Sequence, residues 1–103
     1  MSNTVRSTKL LKAEGYTVDT VERQIPGTVF KKDLFGFIDL LCVRPGETLA
    51  VQTTSDSNVS SRINKIMESP HLATVREAGW RIEVHGWAKV KNRWTLKRRE
   101  DIS

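Results

Sequence analysis

The stretch FGFIDLLCVRPGETLAVQTT, Phe35 to Thr54, limits what this chain can fold into more than any other. Two apolar segments flank Arg44-Pro45-Gly46-Glu47, a compact turn too short for a crossover, so the segments must pair as antiparallel neighbours. The first, Phe35 to Val43, is apolar on both faces, as a central strand is. Between Phe37 and Val43 only Asp39 interrupts it. The second, Thr48 to Thr53, carries one amide, Gln52, inside an otherwise strand-forming run.

A carboxylate in such surroundings loses hydration worth several kcal/mol, and it takes up a proton, finds a cation, or collects hydrogen-bond donors. Alternation along a strand places Asp39 with Phe37 and Leu41, while Ile38 and Leu40 cover the other face. On the partner strand Ala50, Gln52 and Thr54 share one face. An ordinary salt bridge or loop amides would satisfy Asp39, and a backbone bond would satisfy Gln52. Across one short turn, however, the two can reach adjacent places on the same face. A divalent metal accounts for both, since Mg²⁺ is held by one or two protein oxygens, several waters and a substrate phosphate.

The rest of the chain supplies helices and further strands. Asn3 to Glu14 lacks Gly and Pro and stops at Gly15, as a helix with a left-handed terminus does. Tyr16 to Arg23 alternates loosely and is rich in β-branched residues, which predicts a strand ending before Pro26-Gly27. Ser55 to Asn58 offers several N-caps, and Val59, Ile63, Ile66 and Met67 make the apolar stripe of a helix lying on a sheet. Ser69 caps a shorter helix with Pro70 at its first position, running to Gly79. Arg81 to Gly86 alternates as a half-buried strand, and Ala88 to Lys97 forms a last hairpin turning at Lys91-Asn92-Arg93. The expected architecture is α/β, a mixed central sheet flanked by helices, in a single domain over residues 1–103.

Composition narrows the partners. Seventeen Lys and Arg against twelve Asp and Glu give a formal charge of +5, a bias towards polyanions. Lys89, Lys91 and Arg93 open a basic run that continues through Lys97, Arg98 and Arg99, a pattern equally expected of a solvated face or a frayed tail. No window is apolar enough to span a membrane, and the N-terminus lacks the apolar core of a signal peptide, so a cytoplasmic protein is expected. The single cysteine, Cys42, reads as a buried thiol. His71 and His85 lack the ligand spacing of a zinc site, and no motif supports a Ser-His-Asp triad. Among the tryptophans, Trp94, flanked by basic residues, is the one placed to stack on a base.

Taken together, a helix bearing an acid, G-F-I-D-L-L on one strand, a Pro-Gly turn and a polar-x-polar pair on the next strand resemble the PD-(D/E)XK, or restriction-endonuclease-like, nuclease superfamily. The likeness is to its Holliday-junction-resolvase-like and related phage or bacterial members. It covers the chain from the first helix to the strand at Arg81 and implies an αβββαβ core. By position it matches Asp39 to the metal-binding aspartate, Gln52 to the acidic residue of the third motif, and Thr54 to that motif's lysine. Glu14 resembles a helix-one glutamate that some members add to the metal shell, and Asp33 stands close enough in sequence to serve instead. Because a hydroxyl cannot supply the lysine's charge, Lys31, Lys32 or Lys65 would have to replace Thr54.

The resemblance therefore implies a Mg²⁺- or Mn²⁺-dependent DNA endonuclease acting on duplex or branched DNA, and a homodimer, since two strands call for two sites. Its catalytic group would be Asp39, Gln52, Thr54 and Lys32; its metal ligands Asp39, Gln52 and Glu14. Lys9, Lys31, Lys32, Arg62, Lys65, Lys89, Lys91 and Arg93 would follow the nucleic-acid backbone. The alternative is a catalytically inactive module of the same fold that binds nucleic acid or assembles with a nucleic-acid-processing complex. A blander one is an α/β interaction protein with no affinity for DNA.

Overall fold

A computed structural model describes residues 1–103. Helix α1 (Asn3–Ala13) is capped by Ser2, whose Oγ accepts the Val5 N–H, and ends where Gly15 takes φ +95°. Strands β1 (Thr17–Thr20), β2 (Arg23–Gln24), β3 (Lys31–Lys32), β4 (Leu40–Arg44) and β5 (Glu47–Ser55) follow. A 3₁₀ turn (Asp56–Asn58) leads into α2 (Val59–Met67) and α3 (Leu72–Glu77), and β6 (Arg81–Val90) and β7 (Arg93–Asp101) complete the chain. No helix is long and apolar enough to cross a membrane.

Five strands form one mixed sheet in the order β1-β4-β5-β6-β7. The Arg44–Glu47 turn makes β4 and β5 antiparallel, with Leu40 opposite Val51. β5 and β6 are parallel, the helices α2 and α3 supplying the crossover, and β6 and β7 form a hairpin. β2 and β3 pair only with each other, in a small second sheet. The mixed sheet is flanked by helices, as expected.

Two apolar clusters lie on opposite faces of it. Leu11 of α1 and Tyr16 pack on Leu40, Cys42, Leu49 and Val51. On the other face Ala50, Ile82 and Val84 meet Val59 and Ile66 of α2 and Leu72 and Val75 of α3, with Phe37 and Ile38 closing one end. Each large aliphatic side chain removed from water this fully contributes about 1.5–3 kcal/mol. Met67, expected on the buried stripe, is instead half-exposed, because α2 ends there and turns away.

Several sequence expectations shift. The strand read from Phe35 begins only at Leu40, because Phe35 and Gly36 both adopt positive φ and make a turn that is closed by the Leu34–Ile38 bridge. Ile38 therefore joins Phe37 in one cluster, while Leu40 joins the other. Tyr16–Arg23 is a shorter strand, and the β2–β3 hairpin was not legible in it. Asn58 precedes α2 without capping it; its amide donates to Ser55 Oγ at 2.9 Å. Both faces of β6 are buried from Ile82 to Trp87: His85 meets Ser7 of α1 and Glu83 meets Arg99 of β7, while Ile82 and Val84 pack on α2 and α3. The C-terminal basic run is the solvated face and not the frayed tail: it lies largely on the mostly exposed strand β7, after the expected turn, where Lys91 and Asn92 take positive φ.

One glycine is required by packing. A Cβ on Gly86 would meet Val59 Cγ2 and stand 2.9 Å from Asp56 Cα, so β6 and the start of α2 touch only because no side chain intervenes. Gly86→Ala is expected to cost about 1–3 kcal/mol, lowering the melting midpoint by roughly 4–8 °C per kcal/mol. Thermal unfolding followed by circular dichroism checks this, an unchanged midpoint contradicting the packing.

Candidate functional site

Asp39 sits at the last residue before β4 and is 3% exposed. Its backbone bridges two strands: the N–H donates to Val51 O, and the carbonyl accepts from Val21 N–H, both at 2.9 Å. One carboxylate oxygen, Oδ2, accepts from Gln52 Nε2 at 2.7 Å, from Thr53 N–H at 2.8 Å and from Thr53 Oγ1 at 3.3 Å. Asp39 and Gln52 thus meet across the β4–β5 pair. All these bonds fall on Oδ2, which leaves Oδ1 as the oxygen able to bind something else.

Two further carboxylates stand beside it. Glu22, just past β1, and Asp33, just past β3, each offer an oxygen, and these lie within 4.8 Å of one another and of an Asp39 oxygen. Burial pushes the Asp39 carboxyl up to about 8; the Thr53 amide opposes this, and side-chain hydrogen bonding with Asp33, then the charges of Asp33 and Glu22, add to it. Lys31 Nζ reaches Glu22 at 3.3 Å from an exposed position, too far out in solvent to neutralise the group.

A cleft of about 880 Å³ opens here between the β2–β3 hairpin and α2, lined by Asp33, Gln52, Arg23, Lys32, Arg62 and Lys65 among others. Its lining sets the carboxylates of Asp33 and Glu68 among the cations Arg23, Lys32, Arg62 and Lys65. In an octahedral Mg²⁺ shell at most one pair among three ligands stands about 4.2 Å apart and adjacent ones about 3 Å, so oxygens within 4.8 Å of one another reach one ion after side-chain movement of an ångström or more.

The expected site residues divide accordingly. Gln52, Lys32, Arg62 and Lys65 line the cleft with Asp33, while Asp39 is buried behind the lining, bonded to Gln52. Gln52, though, presents its amide nitrogen to Asp39, so it holds the carboxylate in place and is not a second oxygen on the same cation from that side. Thr54 is buried in β5 opposite Gly86 and does not line the cleft. Glu14 belongs elsewhere: as the C-cap of α1 it accepts both forks of Arg99, at 2.6 and 2.8 Å, and that pairing holds its carboxyl below the usual range. Lys31 is exposed on β3. Lys9 on α1, and Lys89, Lys91 and Arg93 at the β6–β7 hairpin, are exposed but outside the cleft. Trp94 at that hairpin has one face covered by the Arg6 guanidinium, 3.6 Å from the ring centre.

Glu22 and Arg23 were missed, both taken as ordinary strand residues. Only the pairing of Thr20 with Leu40, which brings Val21 and then Glu22 alongside Asp39, could have exposed them. Sequence also gave no sign of a buried chain on the α1 face. There His85 Nδ1 lies 2.9 Å from Ser7 Oγ, and His85 Nε2 lies 3.0 Å from Glu83 Oε1. Trp87 Nε1–H donates to Ser7 Oγ at 2.8 Å. Ser7 and His85 are fully buried, so no substrate reaches the hydroxyl, and the serine has a packing role. Burial raises the Glu83 carboxyl, but the His85 hydrogen bond and the Arg99 charge outweigh it and hold it low.

The Asp39 shift has a definite sign in stability. The folded carboxyl stays protonated to about pH 8, the unfolded one only below its ordinary value of 3.8. Its contribution to stability is therefore full below that value and is lost progressively as pH rises through the folded one. Glu14, Glu47, Glu83 and Asp101 are shifted down, so their opposite contributions are complete by about pH 6. In chelator, the native chain is expected to lose stability from about pH 6 to 8 relative to Asp39→Asn, measured by urea unfolding; parallel pH profiles would contradict the raised value.

No model of a known protein family matches the chain, and none of the curated proteins matches it.

Proposed function

We propose that the cleft is the site of a divalent-metal-dependent nuclease acting on DNA. The observation that carries this is the convergence of Glu22, Asp33 and Asp39 beneath a wall of Arg23, Lys32, Arg62 and Lys65. Three crowded carboxylates repel one another, and a shared dication removes both that repulsion and the need for Asp39 to hold a proton. The succession α1, β1, β4, β5, α2, β6 also follows the αβββαβ order that a restriction-endonuclease-like core would have.

In this reading Asp39, Asp33 and Glu22 hold Mg²⁺ or Mn²⁺, with Gln52 and the Thr53 amide fixing the Asp39 carboxylate. The metal supplies a bound water of lowered pKa and draws charge from the phosphate. Lys32, next to Asp33, and Lys65 on α2 stand on the cleft wall, where an ammonium can replace the lysine absent at Thr54. Arg62 and Arg23 hold neighbouring phosphates and set the strand's path.

The burial of Thr54, with no charge in its place on β5, favours a second reading: the same cleft binds nucleic acid without cutting it. Two measurements separate them. Mg²⁺ or Mn²⁺ is expected to raise the melting midpoint of the native chain by several degrees but not that of Asp39→Asn. With plasmid and branched DNA, metal-dependent nicking is expected to fall at least about 100-fold in Asp39→Ala and in Asp33→Ala. Salt-sensitive DNA binding without nicking by the native chain would leave the binding reading; nicking that survives Asp39→Ala would remove the site.

A further inference from the structure

The β2–β3 hairpin stands outside the main sheet, with only Arg23 opposite Lys32 and Gln24 opposite Lys31 in register. A hairpin this short is marginal unless it packs on something. Its loop is nonetheless built tightly: Ile25 N–H donates to Phe30 O at 2.9 Å, Gln24 Nε2 donates to Thr28 O at 2.9 Å, and Thr28 Oγ1 donates to Ile25 O at 2.9 Å. Gly27, at φ +77°, makes the reversal. The backbone is thereby satisfied within the loop, and the side chains are left pointing at solvent.

Those side chains are apolar. Val29 is 86% exposed, Phe30 68% and Ile25 41%, all within six residues. Single exposed apolar residues are common, but three at one tip, with exposed Arg23, Lys31 and Lys32 at its base, form an apolar point on a cationic collar. That charge complements a polyanion, and an apolar point on such a collar fits one whose interior is a stack of flat apolar rings. β3 then runs straight into Asp33. From Phe30 to Asp33 the chain spans at most about 10 Å, the rise of roughly three base steps.

We propose that Val29 and Phe30 form a wedge that enters the base stack where duplex DNA is interrupted by an unpaired nucleotide. Arg23, Lys31 and Lys32 hold the phosphates on either side, and the short link to Asp33 sets the distance from the opened step to the carboxylates. The proposal rests on DNA being the ligand of the cleft, as the nuclease reading has it, but not on cleavage.

The test uses two duplexes carrying 2-aminopurine, one fully paired and one with a single unpaired nucleotide beside the probe, titrated in chelator by anisotropy and by probe emission. The native chain is expected to prefer the interrupted duplex by about tenfold, with a rise in emission on binding, the size that stacking one base on an aromatic ring supplies. Phe30→Ala should abolish both the preference and the rise while leaving affinity for the paired duplex unchanged, and Phe30→Tyr should restore them. Because Phe30 lies outside both cores, the melting midpoint should not move.

The wedge is overturned if the native chain shows no preference or binds no DNA, or if Phe30→Ala weakens both duplexes equally. A monomer produced by Phe30→Ala from a self-associating native chain, seen in sedimentation without any change in DNA preference, overturns it in favour of a protein contact. Cleavage in Mg²⁺ is scored separately: preference without nicking supports the wedge and removes the nuclease, whereas nicking without preference does the reverse.

Discussion

The Asp39 carboxylate and its backbone tie three strands into one frame. Through its amide and carbonyl it joins β5 and the end of β1; through Oδ2 it takes the Thr53 amide and the Gln52 side chain. Each such hydrogen bond is worth about 0.5–1.5 kcal/mol net, and leaving the buried oxygen without them would cost about 1–3 kcal/mol. They also fix its orientation. The loops bearing Glu22 and Asp33 are drawn to the same spot because β1 and the bridge at Ile38 border Asp39 on either side.

The two faces of the sheet treat acids differently. On the α1 face, Glu47 accepts from Arg44, Arg81 and Tyr16, while Glu83 and Glu14 share Arg99, so carboxylates are met by guanidinium forks. Such pairing depresses their pKa values and makes them parts of the scaffold. Beside the cleft Glu22, Asp33 and Asp39 crowd one another, and Lys31 reaches only Glu22, from an exposed position. This contrast, more than any single distance, separates a structural network from a group of acids with little cationic pairing.

Much of the frame was legible beforehand because its signals are local. The Arg44–Glu47 turn, the glycine after α1, the apolar stripe of α2 and the Lys91-Asn92 turn each follow from residues within a few positions of one another. The pairing of Asp39 with Gln52 followed from the same turn, since register across a tight hairpin is set by its length. What was misread depended on distant partners. RIEVHG looks half-buried because a polar residue at every second place ordinarily faces water, yet His85 is buried against Ser7 of α1, 78 residues earlier in the chain, and Glu83 against Arg99 of the last strand. Glu14 looked like a metal ligand until Arg99, from the last strand, claimed it.

By itself, then, the sequence determined the central hairpin, the flanking helices and the meeting of a buried acid with an amide, because turn geometry and hydrophobic period act over short stretches of chain. Only tertiary structure decided which other carboxylates would join Asp39, which cations would wall the cleft, and which polar residues would vanish into the scaffold. Those choices depend on strand order and on the loops at the strand ends. Coulomb forces and desolvation act through space between residues remote in sequence, and no local pattern records them.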